Sequence, residues 1–450
     1  MSPMLGIFFA FYHELLLACC CGIILLGVDD LILWGLWVLR VRPKSPQVTP
    51  TADDGPCFAI FVPAWDEGEV IGAMLEALLG RLDYPDYVVF VGGYPNDPAT
   101  ESSVRAIADR DPRVQFAGGL LPGPTTKAEC LNRCWSAMIE WEIQYGREVA
   151  AIVLHDAEDL VHPDELRVFA AHLPRFDMVQ LPVLPLIHRS SPFVSGHYAD
   201  EFALAHSIDL PTRWVVRAAL PSAGVGCAIS RAALHRIASQ RHGQPFDADS
   251  LTEDYELGLR LGELGYRSAF VRQRSSISGE LVAVRAYFPD RLDTAVRQKA
   301  RWILGIALFG WDRLGWHGSL AEHWMRMRDR RALLSALVVM LAYMAMMMGA
   351  VSLAIRLDPF LQVPPTPWPL QILIRICGGL LFWRLMERAL VVFRLYGFRQ
   401  ALLSIPRALV GNVIAMMAAR RAFMAYLRHR SHDPVNWDKT SHVFPDEDAR

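Results

Sequence analysis

Ala150-Ala151-Ile152-Val153-Leu154-His155-Asp156-Ala157-Glu158-Asp159 reads as a short apolar strand running straight into an acidic cluster. Two earlier runs repeat the pattern: Phe58–Val62 precedes Asp66-Glu67, and Val88–Val91 precedes Asn96-Asp97. Uninterrupted apolar runs of this kind suit strands covered on both faces. Helical spacing at Val70–Leu79 lies between the first two. Strands alternating with helices predict an α/β fold with a mainly parallel sheet and helices on both faces. Such sheets bind ligands beyond the carboxyl ends of their strands, which is where these polar motifs fall.

Asp156, Glu158 and Asp159 crowd three carboxylates at one strand end. Crowded acids repel one another unless a cation offsets them, and hard oxygen ligands favour Mg²⁺ or Mn²⁺ over zinc. The plain alternative is a solvated loop leading to a helix that starts near Pro163, with Asp164 and Glu165 in its first turn. A second acidic pair sits in Ser250-Leu251-Thr252-Glu253-Asp254. Ser250 and Glu253 have the spacing of a capping box, which leaves Asp254 free in the first turn. The helix dipole and free amides there keep a carboxylate ionised, as a general base requires.

Gln298, Arg301 and Trp302 lie at helical spacing before the apolar stretch Ile303–Phe309. One reading is an amphipathic helix on a membrane surface; the other adds Arg301 as a phosphate partner and Trp302 as a stacking platform for a sugar. Gly224 and Gly226 let backbone approach a ligand closely or make a simple turn. Lys127, at an apparent helix start, either contacts a diphosphate or is simply exposed. His155 is assigned no role.

The 450 residues suffice for two domains, and 52% hydrophobic against 20% charged residues is too apolar for a purely soluble enzyme. A formal net charge of -2 gives no reason to expect nucleic acid as a partner. Cys19, Cys20 and Cys21 sit in an apolar run that suits lipid-facing thiols, while Cys130 and Cys134 lack the partners of a zinc site. The remaining cysteines, Cys57, Cys227 and Cys377, are scattered, as in a reduced cytosolic domain.

Residues 5–28 are almost wholly apolar, long enough to span a bilayer, and lack the small-residue cleavage site of a signal peptide. Arg40, Arg42 and Lys44 follow, which places the downstream chain in the cytoplasm. Residues 333–355 predict a second span, preceded by Arg326, Arg328, Arg330 and Arg331. Residues 370–393 predict a third, whose internal charges face a helix bundle, with Arg384 and Glu387 one turn apart and able to pair. Residues 401–419, with Pro406, Arg407 and Asn412, read as an interfacial or re-entrant helix. The expected organisation is a membrane helix and juxtamembrane segment (1–40), a proline-rich linker (41–56), a cytosolic catalytic domain (57–285), interfacial helices (286–325), two membrane helices (326–400), and an interfacial helix with a cytosolic tail (401–450).

Taken in order, Asp97, Asp156-Ala157-Glu158, Thr252-Glu253-Asp254 and Gln298-x-x-Arg301-Trp302 resemble the motifs of membrane-bound family 2 glycosyltransferases, the GT-A group that includes cellulose and hyaluronan synthases. The resemblance covers roughly residues 57–310, with the flanking helices matching in arrangement. Four phrases, 61–67, 94–98, 155–159 and 437–445, look like the bacterial inner-membrane phage-adsorption protein B branch, which is associated with surface polysaccharide secretion. The chain departs from the pattern at Glu158, where Asp is usual, so that Glu158 or Asp159 supplies the second metal ligand, and at Asp97, which lies outside an Asp-Asp-Gly run. Many members of that branch carry a domain that binds cyclic di-GMP; the sequence to Arg450 leaves no room for one, so control by that nucleotide is not implied.

The resemblance implies inverting transfer of a sugar from a nucleotide-sugar to a glycan or lipid-linked acceptor. It implies a multi-pass protein of the bacterial inner membrane, in contact with lipid, with its catalytic domain in the cytoplasm and room for an outer-membrane export partner. Asp254, supported by Glu253 and Thr252, takes the acceptor proton. Asp66, Glu67, Asp97, Lys127 and Asp156 hold the donor. Asp156, Glu158 and Asp159 hold Mg²⁺ or Mn²⁺. Gln298, Arg301, Trp302, Gly224 and Gly226 face acceptor and phosphates. The rivals are a sugar transferase acting on polyprenyl phosphate, a non-enzymatic scaffold for a phage receptor or secretion complex, and a transporter.

Overall fold

The structure, a computed structural model, describes residues 3–41, 55–358, 361, 363–428 and 443–445. Most of the linker expected at 41–56 and residues 437–442 of the tail phrase lie outside the described residues.

Among the described residues, nine strands form two sheets: β1 (Phe58–Pro63), β2 (Tyr87–Gly93), β3 (Val114–Gly118), β4 (Ala151–Leu154), β5 (Met178–Gln180), β6 (Val183–Leu186), β7 (Cys227–Ser230), β8 (Ser268–Phe270) and β9 (Val284–Tyr287). Seven of them run in the order β3-β2-β1-β4-β7-β5-β8, and β6 pairs with β9. The first four are parallel, while β7 runs antiparallel to both β4 and β5. The result is a GT-A-like α/β fold with a mixed, mostly parallel sheet. β1 shows why its sequence reads as one apolar run. Phe58, Ile60 and Val62 enter the core on one face of the sheet, and Ala59 and Phe61 enter the core on the other. The chain winds outward from β1 to β3, then returns to lay β4 on the opposite side of β1. That reversal opens a crevice at the carboxyl ends of β1 and β4.

Among the described residues, length and composition make three helices able to cross a membrane: Pro3–Arg40, Ala332–Arg356 and Phe398–Arg428. The third differs from the expected one. Residues 370–393 lie in the 29-residue helix Trp368–Tyr396, which is not one of those three. The segment expected to be interfacial, 401–419, belongs to the 31-residue helix Phe398–Arg428, which is one of the three. The polar groups that obscured it point into protein. Arg407 is fully buried and pairs with Asp200 at 3.2 Å, and Asn412 donates to the Tyr343 hydroxyl at 3.2 Å. The expected Arg384–Glu387 pair forms at 2.6 Å. Of the three consecutive cysteines, Cys19 and Cys20 are buried against neighbouring helices and only Cys21 is exposed, which corrects the lipid-facing expectation.

The first helix does not end at Asp29-Asp30 but continues unbroken to Arg40. At 1.5 Å per residue it is about 57 Å long, well beyond the ~30 Å of a hydrocarbon core. Its second part packs on the α/β domain, where Leu33 joins Ala203, Leu204 and Ile208. Asp29 and Asp30 clamp that contact. Asp30 meets Arg331 at 2.6 Å and Arg328 at 3.0 Å, Asp29 contacts the same two arginines, and Trp324 donates to Asp29 at 2.6 Å. Removing both carboxylates (Asp29→Ala with Asp30→Ala) leaves two largely buried guanidinium groups without these partners. The expected cost is about 3–5 kcal/mol, read as a lowered unfolding midpoint in detergent and as new proteolysis next to Arg328 and Arg331. An unchanged midpoint would show that the clamp carries no net stability.

Candidate active site

A cavity of about 330 Å³ opens at the carboxyl end of β4. Its polar end gathers Lys127, Asp156, Glu158, Asp159 and Asp254; Gln298, Arg301 and Trp302 form the facing wall. Each arrives on a different element. Lys127 is the first residue of the helix Lys127–Tyr145, whose start is fixed by Thr126 accepting the Glu129 N–H at 3.2 Å. Asp254 lies in the first turn of the helix Glu253–Glu263, and Gln298, Arg301 and Trp302 end the helix Leu292–Trp302.

The acidic loop is built on a buried histidine. His155 Nδ1 is 3.0 Å from Asp159 Oδ2, and Nε2 is 2.8 Å from Glu165 Oε1. The same Asp159 oxygen accepts the Asp156 N–H at 3.0 Å. Burial disfavours the imidazolium, but Glu165 and Asp159 overcome it and push His155 up to about 10. Burial also holds Asp159 above the usual carboxylate range, although His155 draws it down. Asp159 therefore shapes the loop that presents Asp156 and Glu158. Lys127 Nζ meets Asp156 Oδ1 at 2.5 Å.

The expected capping box is absent. Thr252 is the residue before the helix and makes no side-chain cap; Ser250 donates to Glu256 Oε1 at 2.7 Å and accepts the Thr252 N–H at 3.2 Å. The helix starts at Glu253, so Ser250 lies too far back to cap it. Glu253 and Asp254 are both raised, first by burial and then by neighbouring acids, against the pull of Lys127 and Arg301. Asp254 Oδ1 accepts the Tyr255 N–H at 2.7 Å.

Gly224 and Gly226 have positive φ, +75° and +57°. A Cβ at Gly224 would stand 2.4 Å from Asp254 Oδ2, so this turn has room for Asp254 only as glycine. Asp66, Glu67 and Asp97 do not line the cavity; they cluster at the ends of β1 and β2. Asp97 caps the helix Pro98–Ala108 through the Thr100 N–H at 3.3 Å and accepts the Asp66 N–H at 2.5 Å, while the Glu67 N–H donates to Thr100 Oγ1 at 2.9 Å.

Residues 55–305 match the family described as Glycosyltransferase like family 2. The chain belongs to the family 2 glycosyltransferases. It is 38% identical to bacteriophage adsorption protein B of Escherichia coli K12, over an alignment covering 93% of this chain and 60% of that one. The bacteriophage N4 adsorption protein B of Escherichia coli O157:H7 matches to the same extent. The chain thus spans 60% of the length of these curated relatives. Among solved structures, a mannosyltransferase from Pyrobaculum calidifontis in complex with GDP-Man and Mn²⁺ is similar at a TM-score of 0.57 and 15% identity, covering 92% of this chain and 99% of that one.

In this family 2 glycosyltransferase, the donor set suits a hard divalent ion. Asp156 and Glu158 offer carboxylate oxygens at the cavity, and among the described residues no three His, Cys, Asp or Glu side chains form a ready cage. One or two carboxylates completed by phosphate and water is the usual arrangement for Mg²⁺ in phosphate sites.

The far end of the cavity was not legible as motif. His188 and Tyr287 stack with ring centroids 4.0 Å apart on the small β6–β9 sheet. Phe202 and Phe288 join Trp302 in one aromatic wall. Gln180 was also missed. Its side chain accepts the Ala223 N–H at 2.8 Å and donates to Val225 O at 2.9 Å, fixing the glycine turn. A glutamine closing the strand Met178–Gln180 was its one signal in sequence.

His155 gives this site a testable pH signature. Its ordinary value is 6.5 and its folded value about 10, so its contribution to stability is full below about pH 6.5 and is lost as pH rises through about 10. His155→Gln leaves Asp159 and Glu165 buried without that cation. A loss of about 3–5 kcal/mol at pH 6 is expected, shrinking toward pH 10. Denaturant unfolding of both proteins across that range checks it; a pH-independent difference would show that the charge is not what matters.

Proposed function

We propose that this chain transfers a sugar, with inversion, from a nucleotide-sugar to an acceptor hydroxyl on a glycan or lipid-linked substrate. The reaction serves surface or exopolysaccharide synthesis at the cytoplasmic face of a bacterial inner membrane. The observation that carries it is the convergence of Lys127, Asp156, Glu158, Asp254, Gln298 and Arg301 on one cavity at the sheet reversal. The phage-adsorption names of the curated relatives favour a cell-surface product.

In this reading, Asp254 accepts the proton of the acceptor hydroxyl. The acceptor oxygen then bonds to the anomeric carbon as the bond from that carbon to the diphosphate breaks. Burial raises the Asp254 carboxyl above its ordinary value, toward the range where a general base works best. Glu253 and Thr252 form the start of the helix that carries it. Lys127 and Arg301 offset the charge that develops on the leaving diphosphate. Mg²⁺ or Mn²⁺ held by Asp156 and Glu158, with Asp159 behind them, supplies further charge neutralisation when bound. The Gln298 amide oxygen is buried with no hydrogen-bond partner among the described residues, which suits it to an acceptor hydroxyl. Trp302, with Phe202 and Phe288, forms the apolar wall for the acceptor sugar, and the turn of Gly224 and Gly226 keeps room beside Asp254. Asp66, Glu67 and Asp97, at the ends of β1 and β2, hold the nucleoside.

Purified protein incubated with a panel of nucleotide-sugars should release nucleoside diphosphate from one donor class. Asp254→Asn should lower turnover by ~100-fold to 10,000-fold while donor affinity changes little. No release from any donor by folded protein would favour the scaffold reading; lost donor binding in Asp254→Asn would give that residue another part.

The arginines before the helix Ala332–Arg356 favour a cytoplasmic catalytic domain. A reporter active only in the periplasm, fused after Gly243, should be silent. Strong reporter activity would reverse the orientation and remove access to nucleotide-sugars.

A further inference from the structure

We infer that Lys127 is a built-in countercation that occupies Asp156 in the donor-free protein, so that a divalent ion and a nucleoside diphosphate bind tightly only together. The inference rests on the reading that Asp156 takes the metal. It starts from one contact: Lys127 Nζ lies 2.5 Å from Asp156 Oδ1, with the two side chains 20% and 31% exposed. The ammonium also lies in the field of Glu253 and Asp254, so three carboxylates lean on one lysine. Arg301 acts on Glu253 and Asp254 from the facing wall. The backbone of Lys127 is pinned by the helix start at Thr126, but its four-carbon stem is not. A compact ammonium with three rotatable donors can pass from a carboxylate to a phosphate oxygen, which a rigid guanidinium fork does less readily.

The consequence follows from charge. A divalent ion arriving at Asp156 meets an ammonium already on that carboxylate, and like charges at such range repel. Because no ready cage of three acidic, histidine or cysteine ligands exists among the described residues, the ion cannot bypass Asp156 cheaply. In the empty protein the lysine must give up its hydrogen-bonded partner before the metal can use it. A diphosphate removes that conflict by offering oxygens to both cations. Each ligand therefore raises the affinity of the other by the same factor, as linkage requires. If Lys127 were only a fixed structural pair, replacing it would not tighten metal binding.

The test uses the purified full chain in detergent and Mn²⁺, with free Mn²⁺ read from its electron paramagnetic resonance signal. Without nucleotide, Lys127→Met should bind Mn²⁺ about 10-fold more tightly than the original protein, whereas Lys127→Arg, which keeps the charge, should stay weak. Lys127→Gln serves if Lys127→Met does not fold. With UDP or GDP present, the original protein should gain roughly 5-fold to 150-fold in Mn²⁺ affinity, the usual range of coupling between sites, and Lys127→Met should gain far less. Equal or weaker Mn²⁺ binding by Lys127→Met overturns the inference; if Asp156→Asn still abolishes binding, the metal reading survives. Mn²⁺ binding insensitive to Asp156→Asn overturns both.

Discussion

Three carboxylates, Asp156, Glu253 and Asp254, share the field of one lysine at the reversal of the sheet, and much of the α/β domain is arranged to make that tolerable. Acids packed this closely would protonate or push the loops apart without cations. Lys127 reaches all three from one helix start, and Arg301 acts on Glu253 and Asp254 from the end of another. A second set of charges lies beneath: His155 between Asp159 and Glu165, all buried. This lower layer fixes the backbone that carries Asp156, so Asp156 can lean toward the cavity without supporting its own loop. The division explains why two adjacent acids, Glu158 and Asp159, differ in environment although they look interchangeable in sequence.

Charge also ties the α/β domain to the apolar helices. Asp29 and Asp30 of the first helix hold Arg328 and Arg331, and Asp200 of the helix Val194–Leu204 holds Arg407 of Phe398–Arg428. Gly196 makes the second contact possible, since a Cβ there would fall 2.4 Å from the Arg407 guanidinium carbon. Lys299, one residue from Gln298, meets Glu201 on that same helix at 2.6 Å. The helix Val194–Leu204 thus joins the helix that carries Gln298, Arg301 and Trp302 to a helix apolar enough to span a membrane. Buried ion pairs contribute little net stability but are costly to break. They therefore fix the geometry between layers more than they strengthen it.

Much of the fold was legible because parallel strands buried on both faces leave unbroken apolar runs, as in β1 and β4. The antiparallel insertion of β7 was not, because Cys227–Ser230 is short and carries no turn signal of its own. Carboxylates at strand ends were legible because a crowded acid is conspicuous. The capping box misled for a related reason: Ser-x-x-Glu specifies spacing but not where the helix begins, and tertiary contacts of Ser250 with Glu256 won. The third membrane-length helix was obscured because hydropathy counts Arg407 and Asn412 as lipid-facing, whereas both turn to protein. The aromatic end of the cavity was hidden because His188, Phe202 and Tyr287 meet only through tertiary structure.

The link between Asp254 and the wall of Gln298, Arg301 and Trp302 runs past a distorted helix. Beyond Trp302 the chain does not continue as a regular α-helix but widens into a π segment, Ile303–Phe309. Such widenings lose regular hydrogen-bond geometry and concentrate where function needs a particular side-chain placement. Inside this segment, a Cβ at Gly305 would come within 2.6 Å of Thr252, the residue before the helix that carries Asp254. Gly310 lies equally close to the Gly305 carbonyl, at 2.7 Å for a built Cβ. Glycine at 305 therefore lets the backbone of this segment touch the Thr252 side chain. The helix Leu292–Trp302 is thus tied to the start of the Asp254 helix just beyond Trp302, through Gly305 on Thr252, which is why the apolar stretch after Trp302 needs glycine as much as it needs hydrophobicity.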